Sequence, residues 1–109
     1  MGRDVLGEFE HQVLLAIMRL GRESYSVPVV LELEECTGRE ISQSAVFVVL
    51  RRLEKKGLLT SRMDDNGDGE SGRTRRYFAL TPAALTRLQE SRATFQRLWE
   101  GLQTDLDPS

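Results

Sequence analysis

Carboxylate, amide and glycine residues crowd into one short stretch, DDNGDGESG, which runs from Asp64 to Gly72. Its first residues follow the spacing of a calcium-binding EF-hand loop, which closes its site with a glutamate at the twelfth position. Counting from Asp64, that position is Arg75, a cation where the ion needs its strongest anionic ligand. The sequence therefore argues against a calcium site, and no metal is expected.

The glycines of the same stretch have the G-x-G-x-x-G spacing of a dinucleotide-binding loop. Such a loop must open a helix and receive an anionic pyrophosphate. Asp68 and Glu70 would repel that anion, and the following residues, RTRRYFALT, alternate as a strand does. The stretch is predicted to be a flexible hairpin tip between two strands, and no cofactor is expected.

The other residues that could carry chemistry are few, with one histidine and one cysteine in the chain. A single cysteine excludes an internal disulfide and a multi-cysteine zinc site. Cys36 falls among helix residues and is predicted to be a buried or half-buried thiol. His11 has no second histidine or cysteine near it, and no nucleophile–base pair is brought together by spacing. We therefore do not expect an enzyme.

Size and composition indicate one soluble domain with a modest core, since the chain has 109 residues, 39% hydrophobic and 29% charged. Its longest apolar runs are too short to span a bilayer, and its opening residues do not resemble a signal peptide. A cytoplasmic protein without a membrane partner is expected.

Charge is unevenly distributed along the chain, whose net charge is −2. Residues 1–37 and 77–109 are acidic overall, whereas residues 38–76 carry nine basic and six acidic side chains. Because affinity for phosphates depends on local neutralisation, a basic face on an acidic protein is sufficient to bind nucleic acid.

Hydrophobic periodicity and capping residues predict four helices and one hairpin. The first helix ends at Gly21, the second runs from a cap at Ser26 to Gly38, and the third starts after Ser42. The segments LLTSRM and RRYFALT are predicted to pair as a two-stranded ribbon, and a long helix follows Thr81. The predicted buried positions of the second and third helices are Val29, Val30, Leu33, Cys36, Ala45, Val46, Val49, Leu50 and Leu53.

This order of elements is typical of a winged helix-turn-helix: mainly α, with a small antiparallel β wing and an additional C-terminal helix. The third helix has an apolar face and an opposite face with short polar and long basic side chains, as a helix in the major groove requires. Phe47 lies on the outward side, where it contacts a partner or packs under the wing. The residues predicted to contact DNA are Gln43, Ser44, Phe47, Arg51, Lys55, Arg73, Arg75 and Arg76.

The last helix has a nearly regular apolar seam with steps of three and four residues. Packing on the first helix of its own chain is one interpretation, and packing on a second subunit is the one we favour, because a two-fold dimer presents two reading helices to a palindrome. The predicted dimer contacts are Leu85, Leu88, Arg92, Phe95, Trp99 and Leu102. The predicted units are residues 1–81 for DNA binding, 82–103 for dimerisation, and a disordered tail at 104–109.

Three segments, LGEFEHQVLLAIMRL, SAVFVVLRRLEKKGLL and GRTRRYFALT, resemble the PadR (phenolic acid regulator) family of bacterial transcription factors over Leu6 to Thr81. The resemblance implies a homodimer that binds palindromic double-stranded DNA, usually as a repressor, with a small hydrophobic or aromatic effector in some relatives. Such effectors stack on a tryptophan of the last helix between subunits, which points to Phe95 and Trp99 either as effector contacts or as plain dimer packing. The family's usual third-helix tyrosine is Phe47 here, so the hydroxyl–phosphate bond expected of that position is lost.

A second class of function is a winged-helix module that binds another protein and no DNA. The acidic hairpin tip and the net charge of −2 favour it.

Overall fold

The computed structural model describes residues 5–64 and 75–102, and within them it contains four helices and three strands. In chain order these are α1 (Glu8–Arg19), β1 (Glu23–Ser24), α2 (Ser26–Thr37), α3 (Gln43–Lys55), β2 (Leu59–Asp64), β3 (Arg75–Leu80) and α4 (Pro82–Trp99). Asp64, the first residue of the predicted hairpin tip, ends β2; the rest of the tip and the C-terminal tail predicted at 104–109 lie outside the described residues.

Local capping chemistry fixes the starts of α3 and α4. The Ser42 hydroxyl accepts a hydrogen bond from the Ala45 N–H at 3.2 Å, and the Thr81 hydroxyl accepts one from the Ala84 N–H at 3.2 Å. Pro82 follows at the first position of α4, where a missing N–H costs nothing. Both starts were predicted from the sequence. At the start of α2 the prediction is off by one residue, because Tyr25 holds the extended cap position and Ser26 is already helical.

The wing is a three-stranded antiparallel sheet in the order β1-β3-β2, not the two-stranded ribbon predicted. β1 adds only Glu23 and Ser24, which pair with Ala79 and Phe78. Two residues are too few to show alternation in a sequence, and only the packing of β3 beside them defines the strand.

One hydrophobic core joins the three N-terminal helices, the wing and the start of α4. Its fully buried side chains with the largest volumes are Phe78, Leu14, Ile17, Leu50, Leu53, Leu59, Val13, Val29 and Val46. Ala84 and Leu88 bring the first half of α4 into the same core, so the fold does not stop at residue 81.

Two predicted core positions are exposed, Cys36 and Ala45. Cys36 borders an open groove between α1 and α2, where its thiol lies 3.7 Å from a Glu32 carboxylate oxygen. Ala45 lies about 100° around the helix from the buried Val46, outside the stripe that faces the core.

An ion pair between the buried Glu10 and the half-buried Lys56 joins the start of α1 to the end of α3. Lys56 donates hydrogen bonds to both carboxylate oxygens of Glu10 at 2.9 and 3.0 Å, and the Gly7 N–H donates to the same carboxylate at 2.8 Å. Burial raises the pKa of Glu10, but the Gly7 hydrogen bond and the charges of Lys56 and Arg52 outweigh it, so the pKa lies below its usual value. The ionised pair therefore stabilises the folded state.

Replacement of Lys56 by methionine should lower the free energy of unfolding at pH 7 by about 2 kcal/mol, because a buried carboxylate loses its principal donor. Since folding lowers the pKa of Glu10, the stabilisation is present above the unfolded pKa and is lost as pH falls through the folded value. Urea unfolding at pH 7 and pH 3 should thus give a smaller difference between the two proteins at pH 3. Lys55→Met, an exposed neighbour, is the control, and an equal loss for Lys56→Met at both pH values would contradict the assignment.

Candidate nucleic-acid interface

α3 is divided lengthwise into a buried face and a solvent face. The buried residues are Val46, Val49, Leu50 and Leu53. The side chains predicted to contact DNA from this helix are all exposed: Gln43, Ser44, Phe47, Arg51 and Lys55. Burial of one face holds the helix in place, and the other face is exposed to solvent.

Short polar side chains meet at the start of α3. The Gln43 side-chain amide donates to the Ser26 hydroxyl at 3.2 Å, which joins the first turns of α2 and α3. The hydroxyls of Ser42 and Ser44 lie 3.0 Å apart. This end of α3 therefore presents an ordered group of amide and hydroxyl side chains, the types that hydrogen-bond to base edges.

Phe47 packs under the wing and also retains solvent exposure, so the contact with a partner stays a prediction. Its ring meets the buried Phe78 ring edge-on, with centroids 6.1 Å apart, and the residue is still 38% exposed. The Arg51 guanidinium lies 5.9 Å from the centre of the Phe47 ring. Phe47 thus supports the wing from α3 and keeps an edge at the surface.

A chain of polar contacts connects α3 to the wing through one carboxylate. Arg51 lies 3.5 Å from Glu54, whose other carboxylate oxygen accepts a hydrogen bond from the Ser61 hydroxyl at 2.6 Å. Arg76 on β3 donates to the same hydroxyl at 2.9 Å. Glu54 offsets part of the charge of Arg51 and links α3 to the wing through Ser61.

Two further arginines of the wing lie on tyrosine rings. Arg75 lies 4.6 Å from the centre of the Tyr25 ring, and Arg62 lies 4.7 Å from that of Tyr77. The two tyrosine rings contact each other edge-on at 5.3 Å. This arrangement stiffens the flexible arginine side chains over a planar surface. Arg73 lies outside the described residues.

Arg62 was not identified from the sequence, although it belongs to this surface. It donates two hydrogen bonds to Glu23 on β1, at 3.0 and 3.3 Å, and these raise its pKa. Its charge is therefore compensated within the wing. The pairing with Glu23 depends on the unpredicted strand β1, and for that reason no local signal reveals it.

The two halves of α4 have different surroundings. Leu88 is buried in the core of its own chain and Leu85 is half-buried, whereas the exposed Arg92 begins a section with solvent on most sides. The large apolar side chains beyond it are 42–63% exposed: Phe95, Leu98, Trp99 and Leu102. Leu98 was not part of the predicted seam, and Leu102 lies beyond the helix, which ends at Trp99 instead of residue 103.

A groove of about 860 Å³ runs between α1 and the exposed half of α4. His11 of α1 stacks on Phe95 across it, with ring centroids 6.4 Å apart and planes inclined by 23°. Burial lowers the pKa of His11, which favours the neutral ring. The groove has apolar walls at Leu15 and Trp99, and its lining also includes two arginines and one glutamate.

Comparison with known families identifies the chain. A family model described as the PadR-like family of transcriptional regulators matches residues 14–90, which is more than half of the chain. The protein belongs to the PadR-like family. No significant match was found among curated protein sequences.

Solved structures agree with this membership. A PadR family transcriptional regulator from Eggerthella lenta is 29% identical, with 89% of this chain and 82% of that chain covered and a TM-score of 0.68. BpsR from Bordetella bronchiseptica is 22% identical over 94% of this chain and 69% of its own, with a TM-score of 0.69. The winged-helix DNA-binding protein F93 from STIV shares the fold at 12% identity and a TM-score of 0.69, with 87% of this chain and 95% of that chain covered.

This PadR-like protein is thus a DNA-binding transcriptional regulator with a winged-helix fold. Members of the family are typically transcription factors and not enzymes. No helix among residues 5–64 and 75–102 is both long and apolar enough to cross a membrane.

Replacement of Lys55 by alanine should weaken binding of the PadR-like protein to all duplexes alike, because a lysine at the end of the exposed face is expected to contact phosphate and not bases. The slope of log affinity against log salt should fall by about 0.9. Fluorescence anisotropy with a labelled duplex at several salt concentrations measures both effects. Arg97→Ala removes the same charge from α4 and is the control; identical slopes for the two variants would remove Lys55 from the interface.

Proposed function

We propose that this PadR-like protein is a homodimeric repressor, located in the bacterial cytoplasm, that binds a palindromic operator. The observation that carries the proposal is the solvent face of α3, with its polar start and its basic end beside a wing that bears further arginines. A helix of this kind enters the major groove, and the cations beside it neutralise flanking phosphates. Repression and the palindrome are implied by the resemblance of the chain to the family.

Dimerisation is supported by the exposed half of α4. Several large apolar side chains, including Phe95, Leu98 and Trp99, lie close together in sequence with about half of their surface in water. Exposed apolar patches of this kind mark contact surfaces, and aromatic residues dominate the energy of such contacts. We propose that the same half-helix of a second copy covers them. Leu88 was also predicted as a dimer contact, but it is buried in the core of its own chain, so we do not include it in the proposed contact surface.

A small aromatic or hydrophobic effector is proposed for the groove between α1 and α4. The groove is within the size range of small-molecule sites, and Phe95 and Trp99 offer aromatic surfaces in it. DNA binding by BpsR, whose structure is similar, is regulated by 6-hydroxynicotinic acid. Plain dimer packing of Phe95 and Trp99 is the alternative, in which the second copy fills the groove.

Selection of bound duplexes from a random library tests the function as a whole. The recovered sites should be inverted repeats whose half-site centres are separated by about 10–10.5 base pairs or a multiple of this spacing. Recovery of no sequence preference, together with stable capture of a partner protein, would favour the alternative of a winged-helix protein-interaction module. The net charge of −2 is the observation that supports that alternative.

Replacement of Gln43 by alanine should relax the base preference at one position of each half-site, because the amide of glutamine reads adenine through two hydrogen bonds. The wild-type preference at that position should be about 1–3 kcal/mol and should disappear in the variant. Competition binding with duplexes that carry each of the four base pairs there provides the measurement. Loss of affinity by the same factor for every duplex would mean that Gln43 positions the helix and does not read a base.

Replacement of Trp99 by alanine should weaken the dimer by about 2 kcal/mol or more, since a central aromatic side chain commonly dominates such an interface. Sedimentation equilibrium should then show monomers at concentrations where the wild type is dimeric. Leu31→Ala, which truncates an exposed side chain on α2, is the control. A wild-type protein that is monomeric at micromolar concentration would contradict the dimer.

A further inference from the structure

Val48 is an exposed aliphatic residue in the middle of the solvent face of α3. It is 55% exposed, and it does not belong to the hydrophobic core or to the side chains packed on the rim of the core. Val48 lies four residues after Ser44 and seven before Lys55. Because residues at these spacings share one side of a helix, the three side chains point in the same direction, opposite the buried Leu50 and Leu53.

Folding does not account for a valine at this position. A β-branched side chain is a poorer helix former than alanine, and leaving half of it in water gains little from burial. Phe47, the other apolar residue of the outward side, has the Phe78 ring as a partner. Val48 is not among the described side chains that form the core or pack against it, so its exposed apolar surface is available to a ligand.

The first two turns of α3 contain no cation on the outward face. The first basic residue is Arg51, and its guanidinium lies 3.5 Å from the Glu54 carboxylate. The first two turns of α3 therefore cannot make the commonest specific contact in the major groove, a bidentate arginine on guanine. Hydrogen bonds from Gln43 and Ser44 and apolar contact remain as means of reading the groove, and the C5 methyl group of thymine is the apolar group that the groove offers.

Resting on the proposed function, we infer that Val48 is a specificity-determining residue that packs on the C5 methyl group of a thymine in each half-site of the operator. Gln43 and Ser44 read base edges by hydrogen bonds at the start of α3, and Val48 reads a methyl group one turn later. The operator then requires thymine at the position that faces Val48. Deoxyuridine at that position keeps every hydrogen-bonding group and lacks only the methyl.

The test uses the duplex recovered by selection and a series in which each thymine is replaced by deoxyuridine, one position per half-site at a time. With the wild-type protein, deoxyuridine at one of these positions should lower the affinity by about fourfold per half-site, the value expected for loss of one buried methyl group. Val48→Ala should bind the thymine duplex with similarly reduced affinity and should be insensitive to deoxyuridine at that position. Leu31→Ala, an equally exposed aliphatic truncation on α2, should retain the wild-type response.

The outcomes separate this inference from the proposed function. Failure of selection to recover any preferred sequence overturns both. A recovered palindrome in which no deoxyuridine lowers wild-type affinity overturns the role of Val48 alone, as does an equal deoxyuridine effect in Val48→Ala. Thermal unfolding of Val48→Ala should match the wild type, because more than half of the side chain is already in water, and this shows that any loss of discrimination arises at the interface.

Discussion

The burial of one face of α3 is the constraint on which the rest of the structure depends. Val46, Val49, Leu50 and Leu53 fix this helix by its apolar stripe against α1, α2 and the wing. Because the helix has a period of 3.6 residues, fixing one stripe also decides which side chains face outward. The surface assigned to DNA is thus a direct consequence of core packing, and no loop is needed to position it.

Electrostatic contacts hold the basic side chains of this surface in place on a protein whose net charge is negative. The three arginines in the described part of the wing do not extend freely from the fold, since Arg62 pairs with Glu23, Arg76 is held by Ser61, and Arg75 lies on Tyr25. Holding these side chains in place reduces the conformational entropy that a phosphate contact would otherwise cost. Glu54 joins α3 to the wing, so the two parts of the surface are expected to approach DNA as one rigid unit.

The two halves of α4 have different surroundings. Its first half completes the core through Ala84 and Leu88, and its second half extends beyond the core with Phe95, Leu98 and Trp99 in water. An exposed aromatic surface beside a groove suits both a second copy of the chain and a small aromatic ligand. A second copy and a small ligand would compete for the groove in a tightly packed dimer, and both would fit if the dimer left a gap there.

The sequence by itself determined the features that rest on local chemistry. Caps at Ser42 and Thr81, the proline that follows Thr81 and the apolar stripe of α3 each depend on neighbouring residues, so four helices, a wing and the exposed positions of the predicted α3 contacts could be deduced without coordinates. The resemblance to the PadR family was likewise readable from three segments, and the family match confirmed it.

Only the tertiary structure decided the features that depend on residues distant in the chain. β1 exists because β3 lies beside it, and Cys36 is exposed because the groove between α1 and α2 remains open. Glu10 stays ionised although it is buried, because Lys56 donates to it from 46 residues away. Val48 and Leu98 have ordinary helical spacing, and a helical pattern does not reveal where the neighbouring elements stop covering a face. The exposure of a side chain depends on every element that packs around it, whereas a local sequence pattern shows only on which side of its own helix the side chain lies.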